Sequence, residues 1–247
     1  MEEIIRNKEY RLYILDGHGT CCSDDPRPVP SALTHPLRGG AMSSPQSSSM
    51  TIPKHIVVER DACIDMVLLV MPGVSCDVKL DVRLAGEGAE ANIYGAYVCG
   101  SQERVKISVD MHHDLPHCNS RQLFKGIAGG TSRVDFYGKI IVAQDAQRTE
   151  AYQENHNILL TDGAKVDTKP QLEIYADDVK CSHGATIGRL NEEEQFYMRS
   201  RGISLEDAKV LQMISFIAPV LENIPEPDRE AVAAQFEDAI RNIVRNI

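Results

Sequence analysis

The stretch Asp177–Gly202, DDVKCSHGATIGRLNEEEQFYMRSRG, holds the change of pattern on which the fold reading turns. Its first half reads as a strand. Its second half reads as a helix: Asn191 followed three residues later by Glu194 is a capping signal, and Gly202 supplies a stop. Within the strand half, Cys181 and His183 are two residues apart. In an extended chain both side chains stand on one face, with Ser182 turned away. A soft sulfur beside an imidazole suits iron, iron–sulfur or zinc chemistry. One such pair does not complete a metal shell, so further ligands must come from elsewhere in the chain or from a second chain.

Upstream of this stretch, from about Thr51, short runs rich in Val, Ile and Tyr alternate with turn residues. VKLDVRL (78–84) and VKISVDM (105–111) carry the period of two that marks strands. The phrases GEGAEANIYGAYV, GGTSRVDFYGKIIV and TDGAKVDTKPQLEIY read as variations on one theme, a small-residue turn followed by a strand, as in repeat architectures. No helical pattern interrupts them, which leaves a sandwich, a barrel or a β-helix solenoid. Downstream, Ser204 with Asp207 opens a second helix with a wide apolar face over about Leu205–Glu222. Pro219 lies inside it, and Pro225 and Pro227 end it. A third helix starts near Asp228, with a stripe through Val232, Phe236, Ala239, Ile240, Ile243 and Ile247. The chain therefore divides into three parts: 1–50, a strand at Glu9–Leu15 followed by Gly-, Pro- and Ser-rich, poorly structured sequence; 51–190, the strand-rich core; and 191–247, a helical domain.

The chain has 247 residues, a net charge of −10, 5% aromatic residues and no Trp. The negative balance argues against nucleic acid, which calls for clustered Lys and Arg. No apolar run is long enough for a membrane helix, and the charged N-terminus lacks a signal-peptide apolar region. Seven cysteines without a CxxC pair or a disulfide framework fit a reducing compartment, so the expected location is the cytoplasm. There is no GxxxxGK[ST] phosphate loop and no GxSxG elbow. Nothing singles out a carboxylate pair of the kind a β-helix polysaccharide hydrolase uses.

Other donor residues have plainer readings. His112, His113, Asp114, His117 and Cys118 are the densest cluster, but adjacent histidines on a strand face opposite ways and Pro116 marks a turn. Cys63, Cys76 and Cys99 fit core positions. His156, between Asn155 and Asn157, fits a polar residue stacked between coils. Cys21 and Cys22 are given no role. Glu192–Glu194 fits charge stabilisation of a helix N-terminus.

Three blocks, VDMHHDLPHCNSRQLFKG (109–126), the run from Phe136 to Gly188 that ends in KCSHGATIG, and FYMRSRGIS (196–204), closely resemble the SufB/SufD family of SUF iron–sulfur cluster assembly scaffold proteins. Residues 51–108 fit that pattern more loosely. The resemblance implies a mainly β fold, a right-handed parallel β-helix followed by a small C-terminal helical domain. It implies a non-catalytic scaffold that pairs through its β-helix, with a SufB-like subunit or with itself as a homodimer. The helices would dock a SufC-like ABC-type ATPase that hydrolyses ATP. His183 matches a proposed cluster-site histidine at the pairing interface, and Cys181 its neighbouring cysteine. A transient iron–sulfur cluster is expected, with none tightly bound in the purified chain. Family members usually carry a further N-terminal helical region, which this chain is too short to hold. The alternative is a degenerate structural homologue that pairs but holds no cluster.

Overall fold

The computed structural model describes residues 2–15, 20–22, 52–226 and 228–246. Among these residues there are thirteen strands and three helices. Strands β1 (Glu2–Ile5), β4 (His55–Val58), β6 (Cys76–Leu84), β8 (Arg104–His113), β10 (Arg133–Val142) and β12 (Lys165–Ile174) line up in that order as one sheet, here sheet A. Sheet B has the order β13 (Lys180–Gly188), β11 (Glu150–Leu159), β9 (Asn119–Ala128), β7 (Glu90–Cys99), β5 (Cys63–Val70), β2 (Lys8–Leu15), β3 (Thr20–Cys22). Every pairing is parallel except the short antiparallel β2–β3 contact. Apart from β2 and β3, which share sheet B, successive strands alternate between the two sheets, so the chain winds as a parallel β-solenoid. This resolves the choice among sandwich, barrel and β-helix. The irregular sequence expected over 17–50 lies outside the described residues apart from Thr20–Cys22.

The solenoid holds together because a period of two sends one residue inward and the next outward. Inward residues such as Ile64, Met66, Leu80, Val82, Ile107 and Phe136 form the core between the sheets. The corners repeat as well. Asp61, Gly88, His117 and Arg148 all have positive φ, and each stands two residues before a sheet B strand. A small buried residue follows each of them: Ala62, Ala89, Cys118 and Thr149. Cys118 is therefore a rung of a small-residue ladder, with its thiol on the Gly86 carbonyl at 3.2 Å. The three repeat phrases fall at two kinds of corner. GEGAE leads from sheet A to sheet B, whereas GGTSR and TDGAK lead from B to A.

At one B-to-A corner Gly130 has φ +59, and a Cβ there would stand 2.3 Å from the Ser101 carbonyl oxygen. Gly130→Ala should therefore cost about 2 kcal/mol or more, combining left-handed strain with a backbone clash. Denaturant titration against wild type checks this.

Helices α1 (Glu192–Ser200), α2 (Leu205–Leu221) and α3 (Asp228–Arg245) follow the last strand. The caps are those expected: the Asn191 side chain accepts from the Glu193 and Glu194 N–H groups, Ser204 accepts from the Asp207 N–H, and Gly202 is left-handed. Outward residues of sheet B, among them Ile14, Val67, Leu69, Val98 and Ile127, are apolar. They form a second core with Val210, Met213 and Ile217 of α2 and Val232, Phe236 and Ile240 of α3. The wide face of α2 is thus divided between sheet and helix. Ile247 lies outside the described residues.

Candidate functional site

The two ends of the solenoid differ. In the first coil Arg11, 7% exposed, takes the inward position beside Met66 and pairs with Glu3 at 2.5 Å and Glu9 at 2.7 Å. An inward charged triad of this kind blocks continuation of a sheet. The last coil, β12 and β13, has no such plug among the described residues. Each of its strands has one bonded neighbour, β10 and β11 respectively, so each presents an unpaired edge. Its inward positions carry Val166, Thr168, Pro170 and Leu172 on one side and Cys181, His183, Ala185 and Ile187 on the other. Ile174 and Ile187 are 39% and 45% exposed.

Cys181 and His183 therefore share one face, as the spacing predicts, and that face is the inner wall of the uncovered coil. Cys181 stands in register with Ala151, packs against the core and is half-buried; His183 stands in register with Gln153 and is exposed. Burial pushes the Cys181 thiol up, opposed by a backbone hydrogen bond from Ala151. His183 has no hydrogen-bond or ion-pair partner among the described residues. No group of three or more His, Cys, Asp or Glu side chains there is arranged to hold a metal ion. The pair is thus a partial donor set.

Beneath it, the interior turns polar. Gln153 Nε2 donates to Gln122 Oε1 at 2.9 Å. Tyr97 Oη donates to Asn157 Oδ1 at 2.5 Å, and Asn155 Nδ2 donates to Tyr97 Oη at 3.3 Å. Gly126 and Gly138 make room: a Cβ would stand 1.9 Å from the Tyr97 ring at the first and 2.3 Å from the Gln153 amide at the second. Gln122 and Gln153 are absent from any reading of the sequence by motif. The signal for Gln153 is its phase, since alternation in EAYQENHNIL places Ala151, Gln153, Asn155 and Asn157 on one face.

The remaining donors scatter. His112 faces outward, 3.7 Å from Asp81, and Asp114 pairs with Arg83 at 3.3 Å. His113 faces inward, fully buried, with Nε2 2.9 Å from Ser120 Oγ. His117 is a left-handed corner residue. His156 is outward and joins coils through Thr186 Oγ1 at 2.8 Å. Cys99 is core and Cys76 packs partly against it. Cys63 departs from the core expectation: its neighbours Ile64 and Met66 point inward, so it is turned outward with Asp65 and is half-exposed.

Burial, with a smaller contribution from His112, lowers the His113 pKa from 6.5 to about 4. The unfolded chain binds this proton between those values and the folded chain does not. The stability contribution is therefore complete above about pH 6.5 and is lost as pH falls towards 4. Unfolding free energy should decline by up to ~1.4 kcal/mol per pH unit from this group. A His113→Leu variant should show a flatter dependence in denaturant titrations across the window.

Fold and site together define the class: a two-sheet parallel β-solenoid, flanked by helices on one sheet, with a thiol and an imidazole on the wall of an unpaired end. The family model described as SUF system FeS cluster assembly, SufBD core domain, matches residues 43–216, and the chain belongs to that family. It is 45% identical to the iron–sulfur cluster assembly protein SufD of Escherichia coli over 140 residues, 57% of this chain and 33% of that protein. It is 31% identical over 192 residues to an iron–sulfur cluster assembly SufBD family protein of Mycobacterium leprae, covering 74% of this chain and 49% of that one. Similarity to the chloroplastic protein ABCI7 of Arabidopsis thaliana is 37% over 152 residues, 61% of this chain and 30% of that protein. The chain thus spans less than half the length of each of these relatives in the matched region. Among the described residues, no helix is long and apolar enough to cross a membrane.

Proposed function

We propose that this chain is a non-catalytic scaffold subunit of SUF-type iron–sulfur cluster assembly, working in the cytoplasm. It pairs through the edges of β12 and β13 and docks an ABC-type ATPase on its helices. The observation that carries this reading is the contrast between the ends: a charged plug at one, and at the other two unpaired edges around Cys181 and His183. Unpaired edges with apolar flanks favour strand addition by a second chain. That chain is a SufB-like subunit or a second copy. It supplies the ligands that Cys181 and His183 lack, and the nascent cluster is the cargo at the junction. Cys181 contributes as thiolate and His183 through one ring nitrogen. Because burial disfavours the thiolate, capture of iron there releases a proton.

The helical end offers a separate surface. Phe196 and Tyr197 of α1 are 73% and 60% exposed. Beside them a groove between α1 and α2 is lined by Tyr197, Met198, Leu211 and Phe216. In this account ATP-driven dimerisation of the ATPase pulls the helical ends and opens the paired β-helices to iron and sulfide.

Sedimentation of the chain alone, with a SufB-type subunit, and with the ATPase tests both contacts. Ile187→Asp should weaken pairing at least tenfold and leave ATPase binding intact. Phe196→Ala with Tyr197→Ala should do the reverse, since exposed aromatics are typical anchors of such contacts. Pairing by Ile187→Asp at wild-type affinity would place the interface elsewhere.

A further inference from the structure

The buried amide of Gln153 has one unused hydrogen-bonding atom, and the candidate ligand His183 stands in register with this residue. Gln153 is 1% exposed, and its Oε1 has no partner. Its Nε2 donates to Gln122 Oε1 of β9, the strand on one side of β11. Nitrogen and oxygen diverge from the same planar amide carbon. The strand on the other side of β11 is β13. The residue in register there is His183. Gln122, Gln153 and His183 are thus consecutive rungs of one inward ladder, and the last rung is unfilled. The arrangement is held in place: Gly138, across the interior, leaves no room for a side chain against the Gln153 amide. A buried polar atom without a partner costs about 1–3 kcal/mol, so an acceptor kept unpaired in register with an unpartnered imidazole calls for an explanation.

We infer that Gln153 is a positioning residue for His183: its carbonyl oxygen takes the ring N–H and so presents the other ring nitrogen to the metal of the cargo. The inference rests on the proposed function, in which His183 is a ligand. The physical logic is general. A metal-bound histidine needs its second nitrogen held by an acceptor, which sets tautomer and ring orientation. Without it, an exposed imidazole on an edge strand samples several rotamers and both tautomers.

The test uses the full chain in its paired complex, with ¹⁵N-labelled histidine in this chain only, Zn²⁺ as a diamagnetic probe for spectra and Co²⁺ as an optical probe of affinity, all anaerobic. The His183 signal is assigned by its loss in His183→Ala. In the Zn²⁺-loaded wild type, ring ¹⁵N shifts should report one metallated and one protonated nitrogen in a single form. Gln153→Leu should give mixed forms and a 10–100-fold loss of Co²⁺ affinity. Gln153→Glu, which keeps an acceptor, should restore the single form and most of the affinity, a rescue that a packing role alone does not predict. Should Gln153→Leu not fold, Gln153→Asn, one methylene too short, is read in its place. If His183→Ala abolishes Co²⁺ binding while the Gln153 variants leave both form and affinity unchanged, the inference is wrong and the site reading stands. If His183→Ala binds Co²⁺ as wild type does, the site reading is wrong and the inference falls with it.

Discussion

Anaerobic reconstitution of the paired complex with iron and sulfide should yield a stoichiometric visible chromophore, and a chain carrying both Cys181→Ala and His183→Ala should lose it, a drop of tenfold or more. The two residues are the only metal-ligating side chains on the inner wall of β13, and the neighbouring rungs offer none in their place: Ala151 and Gln153 lie on one side, Ala185 and Ile187 further along the strand. The loss should be specific, because neither side chain is fully buried and truncating them leaves no closed cavity. The thermal transition of the double variant should lie within a few degrees of wild type. The single variants should rank His183→Ala as the more damaging, since Cys181 must first give up a proton that burial holds on its sulfur. Wild-type chromophore in the double variant would reduce the chain to a homologue that pairs without holding a cluster.

Glu103→Ala should give the largest loss of stability of any single charge removal in the solenoid, about 3 kcal/mol, or roughly 10 °C in Tm. Glu103 is 5% exposed at a B-to-A corner, and its carboxylate accepts from the Gly73 N–H at 2.9 Å, the Gly100 N–H at 3.1 Å and the Ser101 N–H at 2.7 Å. One side chain thereby ties the corner after β5 to the corner after β7. Burial alone raises its pKa, but these donors together with its own N–H outweigh that and hold the carboxyl below the usual carboxylate range. Because the folded value is depressed, the contribution is present above the unfolded pKa and is lost as pH falls through the folded one. Glu103→Gln should recover only part of the loss, since one amide oxygen replaces two carboxylate oxygens and the NH₂ faces other donors. Denaturant titration of the three proteins checks the order.

Legibility from sequence followed the range of the forces involved. Local signals carried through: the caps at Asn191 and Ser204, the stop at Gly202 and the strand phase of Cys181 and His183 all depend on a few neighbouring residues. Period-two runs identified strands but not their closure, because alternation is the same in a sandwich, a barrel and a solenoid. Family resemblance pointed to the solenoid, and the parallel registers display it. The corner ladder Ala62, Ala89, Cys118, Thr149 stayed hidden because its members share size and not chemistry. That is also why Cys118 and His113 look like donors in the sequence, although one fills a corner and the other bonds Ser120 inside the core. Gln153 was out of reach for a different reason: its significance lies in registers with Gln122 and His183, residues in two other coils.

The central claim, that the uncovered coil is where a second chain joins, is tested most directly by amide hydrogen exchange. In the isolated chain the edge amides of Lys165–Ile174 and Lys180–Gly188 should exchange rapidly, because each strand has one bonded neighbour. On mixing with a SufB-type subunit, or at concentrations where the chain self-associates, those two segments should gain protection while Glu2–Ile5 and His55–Val58, at the far end of sheet A, do not. Protection confined to any other surface, with β12 and β13 still exchanging as in the isolated chain, contradicts the account.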